Sequence, residues 1–463
     1  MKHNMFSGGT ALVALSGGGD SIALLHILSK ISGELGITVE AAHLNHSLRG
    51  KESERDESFC RGICDKLAIN LIVERLEPGE ILHSKSSIET AARDSRMAFL
   101  QRIAALRNAE RIVTGHTSDD LAETLLQRIL RGTGPAGLSG ILPVRDGKWV
   151  RPLLSSSRDE IRDYLMDNGI KFCEDSSNND TDFFRNRIRH ELIPLLRERF
   201  SPNIRGVLGR LAEISRAQED YLNKVTAESV NECIIHADDF KILLDKSKFM
   251  DYHISLKQRI IRHCLSLLEG EGRDADMGEI EHIIGLFDEV SAVADITSRI
   301  RFENIKQYAS FSINAEPYKP QPVKIPGETL IPNGGGSIRV DETAHNTVYN
   351  GIMSVSAKRE DVEKYGSLTV GTIMPGDLIT PYADGSDDVN KKNGNSKERK
   401  IRDIFSSFSI PQTLRNYMPI VRSGAVPIWI PGILSSECLR YDTKKDSRKD
   451  LIYLTFSNGI QWH

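Results

Sequence analysis

Short apolar runs alternate with amphipathic stretches over residues 11–150. The runs have the length of buried strands, and the stretches between them repeat apolar residues at helical spacing. Four strands are predicted at Ala11–Leu15, Val39–Leu44, Asn70–Val73 and Arg111–Thr114. Four helices are predicted at Asp20–Ser32, Glu52–Leu67, Ser87–Leu106 and Ser118–Arg131. Strands that alternate with helices indicate a parallel, Rossmann-like sheet with helices on both faces.

After residue 150 the predicted secondary structure changes twice along the chain. After a predicted helix that begins at Ser157, the region from Arg185 to about Leu268 has a mostly helical pattern. A proline-rich joint at Pro317–Pro322 precedes short strands and a second mixed region. We therefore predict an α/β protein in three parts: residues 1–200 with the parallel sheet, a mostly helical domain at 201–316, and a mixed α/β domain at 317–463.

Composition narrows the class of protein. The 463 residues carry 60 basic and 64 acidic side chains, a net charge of −4, which argues against a polybasic coat but allows a local basic face. No apolar run approaches the ~20 residues of a membrane span, and the first residues do not form a secretory signal. We expect a cytoplasmic enzyme with no membrane partner. The six cysteines form no C-x-x-C pair, and core packing is favoured for Cys60 and Cys64 over metal binding.

The loop Ser16-Gly17-Gly18-Gly19-Asp20-Ser21 joins the first strand to the first helix. A helix start has unpaired N–H groups and a partial positive charge, and glycines let an anion approach the backbone, so this loop is typical of a phosphate site. Ser16 and Ser21 add hydroxyl donors. Asp20 would repel a phosphate unless a divalent cation lay between them, which indicates Mg²⁺. The loop G-x-x-x-x-G-K-[ST] is absent, so transfer of a terminal phosphate is disfavoured; a plain glycine turn is the alternative.

A second polar segment, Gly115-His116 through Glu123, follows the fourth strand and opens a helix. Asp120 and Glu123 are three residues apart, so both carboxylates project from one face of the first turn. They could bind a cationic substrate or accept a proton from it. Helix capping is the alternative, because Thr117 followed by Asp120 resembles a capping box.

A third polar segment, with His43, Asn45 and His46, ends the second strand. The carboxyl ends of parallel strands lie at one edge of a sheet, where ligands bind, so we expect the three segments to converge there. An adenine or phosphate contact would suit these side chains, and a plain surface loop is the alternative. Glu89 and Arg93 have the i,i+4 spacing of a helix ion pair, which by itself says little about function.

Two regions are locally basic in an otherwise acidic chain. Arg185 to Arg216 contains eight arginines and three glutamates, and Lys391 to Arg402 contains six basic residues and one glutamate. Most charge runs are solvated faces, but two of them in separate regions favour a large polyanionic partner.

These segments together resemble the tRNA(Ile)-lysidine synthetases, a branch of the PP-loop ATP pyrophosphatases. The resemblance lies in S-G-G-G-D-S, H-L-N-H-S-L-R, E-T-A-A-R, T-G-H-T-S-D-D-L-A-E-T, R-G-T-G and the run from E-D-S-S-N-N-D to R-N-R-I-R-H. It resumes at K-I-P-G-E-T, M-P-G-D, K-I-R-D-I-F and I-P-Q-T-L-R. The chain departs from the family at Ile373, where a basic residue is usual, and in the polar insertion Asp384–Ser396.

The resemblance implies a reaction and its partners. ATP would adenylate C2 of the wobble cytidine in an isoleucine tRNA with a CAU anticodon, and free L-lysine would replace AMP to give lysidine. The domains at 201–316 and 317–463 would bind the tRNA, and a homodimer is a further expectation. The implied cofactors are ATP and Mg²⁺, the latter on Asp20.

The resemblance also assigns roles to residues. The implied catalytic residues are Asp20, Asp120 and Glu123. The implied ATP-binding residues are Ser16, Gly17, Gly18, Gly19, Asp20, Ser21, His43, Asn45, His46, Arg93, Gly115 and His116. The implied substrate-binding residues are Asp120 and Glu123 for the lysine ammonium, and Arg185, Arg187 and Arg189 for the lysine carboxylate or the tRNA backbone.

Other functions of the same fold remain open from the sequence. A PP-loop tRNA 2-thiolation enzyme would share the adenylation step, and it usually needs paired or catalytic cysteines. A PP-loop enzyme that forms amides of small molecules would need no basic regions. A non-enzymatic RNA-binding protein would need no glycine loop with acidic partners.

Overall fold

The computed structural model describes residues 3–47, 50–77, 88–173, 184–270, 275–314, 317–333, 335–343, 353–381, 398–439 and 451–457. The chain divides into two compact units, residues 1–221 and 222–463. The described helices include none that is both long and apolar enough to cross a membrane.

The first unit is built on a six-stranded sheet in the order β3-β2-β1-β4-β6-β5. Its strands are β1 (Gly9–Ala14), β2 (Ile37–Asn45), β3 (Asn70–Arg75), β4 (Ala109–Val113), β5 (Val144–Arg145) and β6 (Trp149–Val150). Every pair is parallel except the short edge pair of β5 and β6. The Rossmann-like parallel sheet predicted from the sequence is therefore confirmed.

Helices cover both faces of this sheet. α1 (Gly19–Leu35), α2 (Lys51–Lys66) and α3 (Ile88–Leu106) contact its strands. The helices that follow are α4 (Ser118–Arg131), α5 (Pro135–Leu138), α6 (Arg158–Asp167), α7 (Phe184–Arg187), α8 (Ile193–Arg199) and α9 (Ile204–Cys233), with a π-helical turn at Ile188–Leu192. Successive side chains of a strand point to opposite faces. Accordingly, Val13 belongs to the core cluster of Ile22 on α1, whereas Leu12 belongs to that of Phe99 on α3. Cys60 and Cys64 are buried in the α1-side core, as predicted.

The second unit contains four sheets. Its strands are β7 (Ile234–Ala237), β8 (Lys241–Asp245), β9 (Ser291–Asp295), β10 (Ile300–Ile305), β11 (Tyr308–Ile313), β12 (Gln321–Pro322), β13 (Gly327–Leu330), β14 (Ser337–Asp341), β15 (Ser354–Lys358), β16 (Leu368–Gly371), β17 (Leu378–Ile379), β18 (Arg399–Lys400), β19 (Ile420–Ser423), β20 (Val426–Ile430), β21 (Leu434–Ser435) and β22 (Leu451–Ser457). Its sheet orders are β7-β8-β11-β10-β9, β12-β16-β19-β20-β21, β13-β14-β22-β15 and β17-β18.

Helices of the second unit pack mainly beside the first of these sheets. They are α10 (Lys246–Asp251), α11 (Ile254–Glu269), α12 (Met277–Asp288), α13 (Arg359–Val362) and α14 (Ile401–Ser407), with 3₁₀ turns at Gln412–Tyr417 and Glu437–Leu439. The core beside α11 and α12 is rich in aromatic side chains, and the rings of Phe249 and Phe287 stack with centroids 4.0 Å apart.

The predicted helical run from Arg185 to about Leu268 needs a correction. It is interrupted by β7 and β8, which belong to a five-stranded antiparallel sheet within the region predicted to be mostly helical. The reason is physical: Lys241–Asp245 is a short, almost continuous apolar run, and periodicity does not separate such a run from a buried helix. The mixed α/β pattern after residue 317 is observed, while the domain boundaries at 200 and 316 stay predictions.

Candidate functional site

The glycine loop follows β1 at the carboxyl edge of the sheet. Gly17 has a φ of 91°, which a glycine adopts without strain. The hydroxyls of Ser16 and Ser21 lie 3.1 Å apart, and the Ser21 hydroxyl donates to the Gly18 carbonyl at 2.9 Å. Gly18 is the N-cap of α1 and offers no side-chain cap. The two serines therefore close the loop, while the positive end of α1 stays available to an anion.

Gly115 brings the second polar segment against this loop. A Cβ at residue 115 would lie 3.0 Å from the carbonyl carbon and oxygen of Asp20 and 3.2 Å from the Ser21 nitrogen. A side chain at this position would require the backbone at Asp20 to shift by a few tenths of an ångström. The segment after β4 therefore sits directly beside the first turn of α1, as the convergence of strand ends predicted.

The surroundings of Asp20 disfavour the charged form of its carboxylate. Burial raises its pKa, Arg158 opposes the rise, and the charges of Asp120 and Asp119 add to it, which together bring the pKa to about 6. Its Oδ2 lies 3.7 Å from Arg158 Nε, and 33% of its side chain is exposed. A carboxylate in this condition would be stabilised by an additional cation.

Asp120 uses one carboxylate oxygen in a helix cap and the other in contacts with arginines. Its Oδ2 accepts from the Thr117 N–H and the Thr117 hydroxyl, each at 2.9 Å, and these contacts belong to a capping box at the start of α4. Its other oxygen, Oδ1, faces away from the cap toward arginines. Glu123, one turn further along, is fully buried and takes no part in the cap. The helix cap therefore accounts for one oxygen of Asp120 and for neither oxygen of Glu123.

Three arginines surround this pair of acids. Arg158 donates to Asp120 Oδ1 at 2.7 Å and to Glu123 Oε1 at 2.8 Å. Arg185 donates to the same Asp120 oxygen at 3.0 Å and to Glu123 Oε2 at 2.9 Å. Arg189 donates to both oxygens of Glu123, at 2.7 and 3.1 Å. We call these five side chains the acid–arginine cluster.

The arginines control the protonation of the two acids. Burial alone would raise the pKa of both, but the neighbouring guanidinium groups outweigh it. Arg158 and Arg185, with the Thr117 N–H, hold the pKa of Asp120 below its usual range. Arg189, Arg158 and Arg185 do the same for Glu123. Both groups are therefore carboxylates at neutral pH, and they are poor proton acceptors as long as the arginines remain in place.

Arg158 is the residue that sequence reasoning missed. It occupies the first position of α6, where its own N–H donates to Asp119 Oδ2 at 2.9 Å, and it contacts Asp20, Asp120 and Glu123 together. Its one detectable signal is the capping box at Ser157, which fixes where α6 begins. Arg187, by contrast, is exposed, and the described part of the chain gives it no ion pair.

The polar residues at the end of β2 make contacts within the protein. Asn45 donates to Glu57 Oε2 at 3.0 Å and accepts from the Ser47 N–H at 2.9 Å, so its amide is used by the fold. His46 lies 3.4 Å from Arg96. His43 differs, because its Nδ1 bonds to the Leu15 carbonyl at 2.9 Å while its buried Nε2 has no hydrogen-bond partner among the described residues. His43 thus keeps a free acceptor below the glycine loop.

His116 and Arg93 lie around the same edge. Burial and the charges of nearby arginines lower the pKa of His116 to about 4 against the opposing charge of Asp120, so its imidazole is neutral. Thr114 Oγ1 lies 2.9 Å from its Nδ1. Arg93 is exposed on α3, and nothing is described of the Glu89 side chain with which an ion pair was considered. The insertion Asp384–Ser396 lies outside the described residues.

The basic region after Arg185 divides into two sets. Arg185, Arg189, Arg205 and Arg216 bond to acids or carbonyl groups within the first unit. The exposed set consists of Arg187, Arg197, Arg199 and Arg210. Only this second set is free to meet a polyanion.

Family models match both ends of the chain. Residues 2–196 match a PP-loop domain, and residues 384–448 match the TilS substrate C-terminal domain. A tRNA(Ile)-lysidine synthase from Clostridium acetobutylicum is 32% identical over 94% of this chain and 93% of its own length. The chain belongs to the tRNA(Ile)-lysidine synthase family. Those of Geobacter sulfurreducens and Clostridium tetani are 32% and 29% identical, over 95% and 97% of this chain and 92% and 95% of their own lengths.

Membership in the tRNA(Ile)-lysidine synthase family confirms the resemblance found in the sequence. The PP-loop match contains every candidate site residue, from Ser16 to Arg189. The second match contains the 3₁₀ turn at Gln412–Tyr417. The relative from Clostridium acetobutylicum aligns with this chain along 93% of its own length.

Proposed function

We propose that this protein joins free L-lysine to C2 of the wobble cytidine in an isoleucine tRNA with a CAU anticodon. ATP is consumed to AMP and pyrophosphate, and the cytidine is adenylated on the way. The observation that carries the proposal is the adjacency of the glycine loop and the acid–arginine cluster, which Gly115 and Arg158 bring together. A phosphate cradle and a carboxylate pair at one edge can serve an adenylation and an amine transfer in succession.

The glycine loop is suited to the first step. The N–H groups at the start of α1 would hold the phosphates of ATP, and the neutral His43 Nε2 can accept a hydrogen bond from a nucleotide. Asp20 fits Mg²⁺, because its carboxylate is partly exposed and Mg²⁺ is usually bound through one or two carboxylates plus substrate phosphates. When bound, Mg²⁺ would neutralise charge on the departing pyrophosphate.

The acid–arginine cluster is suited to the second step. The lysine ammonium would take the place of one guanidinium at Asp120 and Glu123, and the displaced Arg185 or Arg189 could then pair with the lysine carboxylate. Removal of a guanidinium would also let the pKa of the nearby acid rise. That rise matters because a lysine amine, with a pKa near ~10.4, must lose a proton before it attacks.

The test is incubation of the protein with Mg-ATP, labelled lysine and a CAU-anticodon tRNA transcript. Label in the RNA, together with AMP and pyrophosphate, is the expected result. Sulfur incorporation or a free amide product instead would show one of the alternative PP-loop reactions. Cys60, Cys64 and Cys173 have pKa values raised by burial, which keeps the thiols protonated and disfavours thiolation chemistry.

The role of Asp120 has its own test. Asp120→Asn keeps an oxygen for the Thr117 cap and removes the charge that would hold the ammonium. Lysine transfer should fall while adenylation persists, and transfer at the wild-type rate would contradict the assignment. We also propose a cytoplasmic location, where tRNA and free lysine meet, and a homodimer, which light scattering would reveal.

A further inference from the structure

A cavity of about 380 Å³ opens in the second unit, whereas the candidate active site belongs to the first. It lies between the strands β9–β11 and the 3₁₀ turn at Gln412–Tyr417. Glu303, Ser312 and Asn314 line it from the sheet, and Gln412 and Asn416 line it from the turn. Its volume is at the lower end of the ~300–1,000 Å³ typical of small-molecule sites, which suits a group the size of a nucleobase.

Glu303 places a buried carboxylate on the wall of this cavity. The residue is 4% exposed, and its Oε2 accepts from the Thr413 N–H at 2.7 Å. Among the described residues no other hydrogen bond reaches this carboxylate. A buried carboxylate without enough donors is costly, so the cavity favours an occupant that brings N–H groups.

The neighbouring cations do not provide those donors. Arg301 lines the same cavity, but its guanidinium makes two bonds to Asp295, at 2.7 and 3.0 Å. Arg415 also interacts electrostatically with Glu303, but its guanidinium donates to the Ile410 carbonyl. Both arginines are held in place by other acceptors and leave the open side of Glu303 to the cavity.

The other polar groups argue against a simple ion. Glu303 and Arg301 line the cavity with opposite charges, so the wall favours neither a simple anion nor a simple cation, and the rest of the wall offers the Ser312 hydroxyl and the amides of Asn314 and Gln412 rather than further carboxylates. Hydroxyl and amide groups beside one carboxylate can meet a planar heterocycle that has donors and acceptors along its edge. Recognition of RNA by proteins commonly uses unstacked bases held in this way.

We propose that this cavity binds one unpaired guanine of the tRNA, with Glu303 accepting from its N1–H and N2–H₂ groups. Guanine alone presents two adjacent donors on its Watson–Crick edge. Adenine and cytosine place a ring acceptor beside their amino group, and uracil flanks its single donor with two acceptors, so a carboxylate would repel each of them. Gln412, Thr413 and Asn416 belong to the segment matched by the TilS substrate C-terminal domain, which connects the cavity with the tRNA of the proposed function on which the inference rests.

The direct experiment is calorimetric titration of the full chain with GMP, AMP, CMP and UMP, with the glycine loop filled by a non-hydrolysable ATP analogue. GMP should bind at least about tenfold more tightly than the other three, a difference of ~1.4 kcal/mol. Glu303→Gln should remove that preference, because its amide presents an N–H toward the guanine donors. Glu281→Gln, on an exposed face of α12, is the matched control and should leave GMP binding unchanged.

A second variant guards against misfolding of Glu303→Gln. Gln412 is exposed at the rim, so Gln412→Ala should keep the fold and weaken GMP binding by a few-fold. Equal binding of all four nucleotides, preference for a polyamine such as spermidine, or a GMP preference that survives Glu303→Gln would each overturn the proposal.

The last experiment uses the tRNA itself. Inosine lacks the N2 amino group, so replacing the unpaired guanosines of a CAU transcript by inosine should weaken binding to the wild type and have no further effect on Glu303→Gln. The nucleotide titration needs no lysidine formation. If lysidine forms and GMP does not bind, only this proposal fails; if GMP binds and no lysidine forms, the proposed function fails.

Discussion

Two carboxylate sites at the same edge of the first sheet obtain their positive charge differently. Asp20 has one arginine atom at 3.7 Å, is one-third exposed, and has a pKa raised to about 6. Asp120 and Glu123 are more deeply buried, have three arginines at 2.7–3.1 Å, and have lowered pKa values. Asp20 has only a partial counter-charge, from Arg158, whereas the acid–arginine cluster contains its own.

The difference teaches how each site would use a ligand. A cation can simply be added at Asp20, because it relieves charge that the protein leaves uncompensated. A cation at Asp120 or Glu123 has to replace a guanidinium that is already bonded there. Addition at one site and exchange at the other give the two sites different responses to mutation and to pH.

Of the variants that test this comparison, Glu123→Gln should have the largest effect on stability. It removes the only fully buried charge of the cluster and leaves three arginines without their main partner, so the free energy of unfolding should fall by about 3–5 kcal/mol. Urea denaturation measures the loss. Glu34→Gln, on an exposed position of α1, is the control and should change stability by less than ~0.5 kcal/mol. Equal stability of both variants would show that the cluster is not electrostatically coupled.

Asp20→Asn should reduce activity without reducing stability. The folded state loses an uncompensated charge and should not be destabilised, but pyrophosphate release from Mg-ATP should fall by about 100-fold, because a carboxylate ligand of a catalytic cation contributes several kcal/mol to the transition state. Asp163→Asn, exposed on α6, should retain activity. Raising the Mg²⁺ concentration should rescue Asp20→Asn in part; full activity without added Mg²⁺ would remove Asp20 from the metal site.

The pH dependence of stability should differ in sign between the two sites. The pKa of Asp20 is higher in the folded than in the unfolded protein, so stability falls as pH rises from about 4 to about 6. With allowance for its exposed third, the change is about 1 kcal/mol. The pKa values of Asp120 and Glu123 are lower in the folded protein, so their stabilisation is complete above the ordinary acid range and is lost as pH falls through the folded values.

Subtracting two denaturation curves isolates this effect. The stability of Asp20→Asn relative to the wild type, measured without nucleotide, should increase between pH 4 and pH 6.5 by the amount given above. Parallel profiles for the two proteins would mean that Asp20 titrates normally in the fold.

Arg187→Ala should have the smallest effect and marks the boundary of the cluster. Because Arg187 is exposed, its removal should change stability by less than ~0.5 kcal/mol and weaken tRNA binding a few-fold, with a salt slope lower by about one. Arg185→Ala removes contacts to both acids and should be clearly less stable than Arg187→Ala. Similar denaturation midpoints for the two variants would contradict the division of the arginines made by the structure.

Local chemistry explains which features could be predicted from the sequence. The glycine loop, the parallel strands and the two acids are encoded by short segments whose periodicity and residue types are sufficient. The partnership of Asp120 and Glu123 with Arg158 could not be predicted, because the residues come together through the packing of α6 and α7 against α4. The bond from Asn45 to Glu57 could not be predicted either, because the two residues meet only through the packing of α2 against β2, and the nucleotide contact of Asn45 stays a prediction.

The capping box at Thr117 has a consequence for how variation among relatives of this chain should be interpreted. One oxygen of Asp120 stabilises the start of a helix and the other accepts from arginines, so selection for either property alone would preserve this aspartate. Invariance at Asp120 would therefore be weak evidence for a catalytic role. Glu123 makes no cap, but its buried bonds to three arginines stabilise the fold, so invariance at Glu123 would carry the same ambiguity.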